Sequence, residues 1–299
     1  MGKPLQLEAN QKYKLPQMSS GNWTEVITSK RDLFDLRFGE LWRYRDLIKM
    51  FVRRDIVSVY KQTVLGPLWF FISPLMTVLL FTFIFSKIAH IDTDGIPAPI
   101  FYLTGTTLWN YFQQCFLSSS NTFLANEGIF GKVYFPRLIS PISTIISNLI
   151  KFFIQILVLI ILIAYYVIVE DYDLKLHSTL LLFPYLVFLM AGISLGIGLL
   201  TSAATSKYRD LQMFIGFGIG LLMYATPIIY PISQVPENYR ALLMLNPIAP
   251  IIETFRYSIF GIGEFSFSSL AYSTVVMVVV LFSGIVIFNQ VEKSFMDTI

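Results

Sequence analysis

Very little of what soluble chemistry requires is present in this sequence. Cysteine occurs once, at Cys115, and histidine twice, at His90 and His177. One thiol excludes a disulfide framework and a thiolate metal site, and two scattered histidines make no metal-ligand cluster. Charge is equally scarce: 14% of residues are Asp, Glu, Lys or Arg, where a soluble domain carries about a quarter. There is no Ser-His-Asp set and no carboxylate pair placed for acid–base work at a membrane surface. The nearest external candidates are Asp92 and Asp94 beside His90, and "HIDTDG" (90–95) reads better as a helix end and a turn.

A nucleotide loop is missing too. In "NEGIFGKVYFPRLISP" (126–141) the run Gly128, Gly131, Lys132 imitates part of one. A phosphate-binding loop needs G-x-x-x-x-G-K followed by Ser or Thr, because backbone amides cradle the phosphates and the hydroxyl meets magnesium. Here Asn126 stands where the first glycine belongs and Val133 follows the lysine. No ATP site is expected in this chain.

What is abundant is apolar length. Hydrophobic residues make up 55% of the chain, its mean hydropathy is +0.64, and the apolar residues gather into runs near the ~20 that a membrane-spanning helix needs. The pattern predicts an all-α integral membrane protein with six spans, at 65–86, 99–118, 140–168, 178–201, 211–231 and 269–289. A cytoplasmic segment, 1–64, precedes a transmembrane domain, 65–299. The polar first 60 residues hold no cleavable leader pattern, so the first span is expected to direct insertion.

The second span is unusually polar. Thr104, Thr107, Asn110 and Gln114 recur on one helical face, and such groups need partners away from lipid. In the third span Lys151 shares a face with Asn148 and Gln155, two to three turns from its start, where snorkelling to the headgroups accounts for it. Gly192 and Gly196 form one small-x-x-x-small pair and Gly216 and Gly220 another, suited to close helix packing within a subunit or between two.

Lysine and arginine set the orientation. Residues 1–64 carry twelve of them, and Lys132, Arg137, Lys207, Arg209 and Lys293 fall on the same side of an even-span chain. The other side has Lys87, Lys175, Arg240 and Arg256 among eight acidic residues. Both termini are expected in the cytoplasm, and the net charge of +3 reflects this asymmetry rather than nucleic-acid binding. The stretch 40–62, with Trp42, Arg53, Arg54, Asp55 and Tyr60, reads as a basic amphipathic helix lying in the headgroup plane. Beyond the fifth span, Pro227, Pro231, Pro236, Pro247 and Pro250 cut an apolar stretch into pieces too short to cross. Two short re-entrant helices are expected there, with Glu253 and Arg256 pairing at i, i+3.

Five ordered stretches carry a family resemblance: "RRDIVSVYKQTVLGPLWFFISPL" (53–75), "NEGIFGKVYFPRLISP" (126–141), "KYRDLQ" (207–212), "TPIIYPIS" (226–233) and "LNPIAPIIETFR" (245–256). Together they resemble the type-2 ABC transporter permeases of polysaccharide export, and within these the O-antigen and polyol-phosphate exporters. The resemblance covers about 30–299, with Gly131 a small departure where relatives carry a basic or polar residue.

The resemblance implies a permease without enzymatic chemistry of its own, homodimeric in the bacterial inner membrane. It would be seated on two copies of a separate ATPase that holds ATP and magnesium, and would move a lipid-linked polysaccharide. It assigns coupling to the ATPase to Asn126, Glu127, Lys132, Val133, Tyr134, Phe135 and Arg137. Tyr134 and Phe135 would offer an apolar face, and Lys132 and Arg137 headgroup anchors. An outer gate would use Pro227, Tyr230, Pro231, Asn246, Pro247, Glu253 and Arg256. The first and fifth spans would line the path, where Trp69, Phe70, Phe81, Phe214, Phe217 and Tyr224 have faces suited to stacking on sugars. Rival readings are an exporter of capsule glycan, teichoic acid or drugs, and a membrane transferase or lone flippase built on Asp92, Asp94 and His90.

Overall fold

A computed structural model describes residues 38–61, 66–133 and 135–295. Expectations for the tail before 38, for Tyr134 and for the side chain of Tyr60 lie outside the described residues. Among those described there is no strand. Two N-terminal helices, α1 (Phe38–Arg43) and α2 (Arg45–Lys61), lead to α3 (Trp69–Phe81), which continues as a π-helical stretch to Ile88. Next come α4 (Ala98–Ser120), the single turns α5 (Thr122–Ala125) and α6 (Glu127–Phe130), and α7 (Ile139–Val169). The chain continues through α8 (Phe183–Lys207), α9 (Leu211–Tyr224), α10 (Glu237–Met244), α11 (Ala249–Phe260) and α12 (Phe267–Phe295).

Four helical stretches are long and apolar enough by length and composition to cross a membrane: Trp69–Ile88, Ile139–Val169, Ser178–Lys207 and Phe267–Glu292. The other two expected spans depart from that standard in opposite ways. Helix α4 has the length, 23 residues, but its threonines lower its hydropathy. Helix α9 is apolar but has only 14 residues, about 21 Å at 1.5 Å per residue. It ends at Tyr224 rather than 231 because Pro227 and Pro231 supply no amide hydrogens for further helical turns.

The position of α4 resolves its polarity. It is enclosed by α3, α7 and α8, and Ile100 through Trp109 are all buried. Thr104, Thr106 and Thr107 donate their hydroxyls to the carbonyls four residues back, those of Ile100, Tyr102 and Leu103, at 2.6–2.7 Å. Each hydroxyl is thereby satisfied within its own helix. The expected polar face divides in two: Thr104 and Thr107 are buried, while Asn110 and Gln114 open into a cavity.

Two glycine pairs with the same spacing have different surroundings. A Cβ on Gly196 would lie 2.7 Å from the backbone of Val280 and Leu281, and one on Gly284 would lie 2.5 Å from the Gly196 carbonyl. Gly192 meets Met277 at a comparable separation. These residues set a backbone-to-backbone crossing of α8 and α12. Gly216 and Gly220 on α9 have no atom within 4 Å of such a Cβ in the subunit, and Phe214 and Phe217 beside them are each 69% exposed.

Helix α2 is not free in a headgroup plane along its whole apolar face. It packs on α7, and Phe51 enters a cluster with Phe123, Phe130, Phe135, Ile139, Leu199 and Phe288. Trp42 and Met50 remain exposed. On the water-facing side Lys49 donates to the Asp46 carboxylate at 2.9 Å and holds it below the ordinary carboxylate range.

Gly284→Val is expected to push α12 off α8 and cost about 1–3 kcal/mol through overpacking. Gly128→Ala, at a helical position with open space around it, should leave stability unchanged or raise it by less than about 1 kcal/mol. Thermal unfolding of the purified subunit checks both, and equal melting points would contradict the crossing.

Candidate functional site

The side chains singled out from the sequence gather at the two ends of the bundle. At the end carrying α10 and α11, a guanidinium organises the segment between α9 and α12. Arg256 is wholly buried. Its Nη1 donates to Glu253 Oε1 at 2.8 Å and to the Pro227 carbonyl at 2.9 Å, and its Nη2 donates to the Ile228 carbonyl at 3.2 Å. The guanidinium also lies over the Phe101 ring, 3.8 Å from its centroid, in a cation–π contact. Thus one side chain of α11 ties down the 227–228 turn, which has no helical partners of its own, and presses it against α4.

Glycine permits both approaches. A Cβ on Gly105 would meet Arg256 Nη2 at 3.0 Å and the Ile228 carbonyl at 3.2 Å. One on Gly263 would meet Glu253 Oε2 at 2.9 Å, and its φ of +112° excludes most other residues. Prolines and asparagine shape the rest. Asn246 donates to Thr226 Oγ1 at 2.8 Å and accepts from the Ile248 amide at 3.0 Å, fixing the start of α11. The Pro247 carbonyl accepts from Ser273 at 2.8 Å, which links the turn to α12. Pro227 and Pro231 are buried, and the Tyr230 hydroxyl donates to the Tyr224 carbonyl at 2.9 Å. Asp94, read from sequence as part of a turn, accepts from Ser233 at 2.8 Å. The i, i+3 pair expected from spacing is present. Phe101, Gly105 and the two carbonyls that complete it were not legible, since nothing in α4 marks the point where an arginine will arrive.

At the opposite end, residues 121–133 hold the two single turns α5 and α6, and residues 135–137 lead into α7. The expected division of labour in this segment is corrected here. Phe135 does not present an outward face: it is 5% exposed and packs edge-on against Phe51 and Phe130. Arg137 does not reach the headgroups either. It is 3% exposed, donates to the Glu292 carbonyl at 3.1 Å and lies over the Phe130 ring. Asn126 is also buried, donating to the Thr122 carbonyl and the Ser140 hydroxyl, both at 2.9 Å. A loop this short must bury its aromatic residues to hold a shape, and α2 and α12 supply the cover. What remains outward among the described residues of 126–137 is Gly128, Ile129, Gly131, Lys132 and Val133, with Glu127 half-buried. Beside them Arg209 of the "KYRDLQ" stretch pairs with Glu127 at 3.6 Å, and Gln212 donates to Asn121 at 2.6 Å.

Of the aromatic residues expected along a path, Trp69, Phe214, Phe217 and Tyr224 are exposed on the subunit, and Phe70 and Phe81 are half-buried. Phe81 packs edge-on against Phe85 and Tyr102. In α2, Arg53 and Arg54 are exposed, and Arg54 pairs with Asp55 at 2.9 Å.

With this geometry in place, the comparisons with known proteins become interpretable. The model of the ABC-2 type transporter family matches residues 46–260, from the start of α2 to the end of α11. The chain belongs to the ABC-2 type transporter family. Its apolar helices and that membership make it a multi-pass membrane protein of the permease kind. The O-antigen export system permease protein RfbA of Klebsiella pneumoniae is 27% identical over 253 residues, covering 84% of this chain and 94% of that one. RfbA of Myxococcus xanthus is 24% identical over 262 residues, covering 87% and 98%. The polysialic acid transport protein KpsM of Escherichia coli is 25% identical over 253 residues, covering 82% and 93%. The family expected from the five stretches is the family found.

Removing Arg256 should destabilise strongly, because Glu253 would be left enclosed without its cation. Arg256→Ala is expected to cost about 3–5 kcal/mol. The double variant Glu253→Leu, Arg256→Met should cost clearly less than the two single changes summed. Thermal unfolding of the four proteins measures that coupling, and simple additivity would refute the pair as a unit.

Proposed function

We propose that this chain is the transmembrane permease subunit of an ATP-driven exporter carrying a lipid-linked, O-antigen-like polysaccharide across the bacterial inner membrane. The observation that carries the reading is the family match together with RfbA relatives aligned over 94–98% of their own length. Two copies of the chain would sit on two copies of a separate ATPase subunit, which would hold ATP and magnesium. The exposed aromatic face of α9, with glycines that meet nothing in the subunit, supports a second copy at that face.

Six crossings are then α3 with its π-helical extension, α4, α7, α8, α9 and α12. The excess of Lys and Arg around α2, at 132–137 and at 207–209 supports a cytoplasmic position for that end and for both termini. Helices α10 and α11 would be the short outer elements that gate the exit. Non-helical backbone at membrane depth requires its polar groups to be covered by protein, and Arg256 supplies that cover for the 227–228 carbonyls.

Coupling would use Glu127, Lys132 and Val133 as the surface pushed by the ATPase, with Phe135 and Arg137 as its buried footing. A push on that surface would be passed to α2 through Phe51, to α12 through Glu292 and to the start of α9 through Arg209. Export of a capsule-type glycan is the second reading, favoured by the KpsM relatives at nearly equal identity.

Proteoliposomes holding the chain with its ATPase and a lipid-linked O-polysaccharide should move glycan only with ATP. Lys132→Glu with Val133→Asp should lower transport about 10-fold or more, as loss of a desolvated docking contact would, while the purified subunit melts normally. ATPase activity indifferent to glycan, without glycan movement, would overturn the reading.

A further inference from the structure

Lys151 has a setting that snorkelling does not explain. It lies twelve residues into α7 and is half-buried, and its ammonium donates to Asn148 Oδ1 at 2.9 Å. No carboxylate among the described residues lies within ion-pair distance of it; the nearest acid on a packed element is Asp55 of α2. That carboxylate is held by Arg54 at 2.9 Å and accepts from Ser147 at 3.3 Å. The charges facing the cleft are therefore Arg54, Asp55 and Lys151. The first two offset one another, and Lys151 keeps two unused donors.

Two cavities meet at this lysine. One, of about 540 Å³, runs between α2, α4 and α7, with Arg54, Asp55, Asn148 and Lys151 in its wall. The other, of about 240 Å³, lies between α3, α4 and α7, with Trp69, Gln114 and Gln155 facing the same Asn148 and Lys151. Asn148 is 4% exposed, yet its amide nitrogen has no hydrogen-bond partner among the described residues, nor has Gln155 Oε1. A buried donor left unsatisfied is costly, and a half-buried cation without a countercharge suits an anion.

We propose that this cleft binds the phosphate of a lipid headgroup, with the Lys151 ammonium and the Asn148 amide as its donors. The acyl chains would remain in the membrane beside α7. Phosphate is the chemistry that fits: several acceptor oxygens around one charge can take both Lys151 donors and the Asn148 amide together. Trp69 and Gln155 in the adjoining cavity offer a ring face and an acceptor to a sugar attached to that phosphate. The headgroup has two possible sources, the diphosphate of a polyprenyl-linked glycan or a resident anionic phospholipid. The first source rests on the transport reading above, and the second does not.

The test uses the full chain in phosphatidylcholine nanodiscs, titrated separately with a long-chain polyprenyl diphosphate and with phosphatidylglycerol, binding being read by native mass spectrometry. Lys151→Gln should weaken binding about 10-fold or more, the worth of a charged hydrogen bond, and Lys151→Arg should retain it. Asn148→Ala, which leaves the charge in place, should weaken it about 3-fold or more and serves if Lys151→Gln does not fold. Loss confined to the polyprenyl diphosphate supports the carrier as occupant. Equal loss for phosphatidylglycerol supports the site with a phospholipid in it, whatever the transport assay gives. Binding of both lipids undiminished in the folded variants, or no binding to the unmodified chain, overturns the site.

Discussion

A guanidinium enclosed on every side needs its charge matched and its terminal nitrogens hydrogen-bonded, and Arg256 finds these partners in three separate parts of the chain while its Nε stays unpaired among the described residues. Glu253 supplies the countercharge from one turn back on α11, the 227–228 carbonyls accept from both terminal nitrogens, and Phe101 of α4 faces the cation. The requirement runs the other way as well. Carbonyls at a proline-broken turn have no helical donors, and in an apolar surrounding they need some. The arginine and the broken turn therefore depend on each other, and α4 gives them a floor at Gly105. That knot acts together with the apolar face of α11, Ile251, Ile252, Phe255 and Phe260, and with the Ser273–Pro247 and Ser258–Thr179 bonds, to keep α11 packed among α4, α8 and α12 while its neighbour α10 stays exposed.

The opposite end follows the same logic with softer means. The described residues of 122–137 contain too little helix to hold themselves, so a hydrophobic cluster of Phe51 from α2, Leu199 from α8 and Phe288 from α12 packs around Phe123, Phe130 and Phe135. Arg137 closes it by reaching the last turns of α12. A rigid buried footing beneath an exposed, charged tip is what a force-transmitting contact needs, since a floppy loop would absorb the displacement it receives. Between the ends, α4 passes through the middle of the bundle and touches both, with Phe101 at one end and Ser119 at the other.

Much of this was legible because membrane helices announce themselves by length. The run read as 140–168 is a helix over Ile139–Val169, and that read as 99–118 is a helix over Ala98–Ser120. The Glu253–Arg256 pair followed from its spacing on one helical face. Other features depend on which surfaces meet, and local pattern does not contain that. Gly192–Gly196 and Gly216–Gly220 have the same spacing, yet only the first packs inside the subunit. Phe135 and Arg137 read as outward-facing in a polar loop, and tertiary cover from α2 and α12 turned both inward. The fifth span was drawn too long because its apolar character persists past the prolines that end its hydrogen bonding. Lys151 reads as ordinary in sequence because the cavities around it are bounded by helices far apart in the chain, α2 and α3 among them.

Cysteine accessibility tests the Arg256 knot most directly, since the native Cys115 is buried. Ser258 in α11 is 1% exposed, while Asn238 in α10 is exposed. With a hydrophilic maleimide applied to the purified protein in detergent, Asn238→Cys should label readily, and Ser258→Cys should label only after denaturation. Equal labelling of the two positions in the native protein would mean that α11 lies on the surface, and would contradict the account.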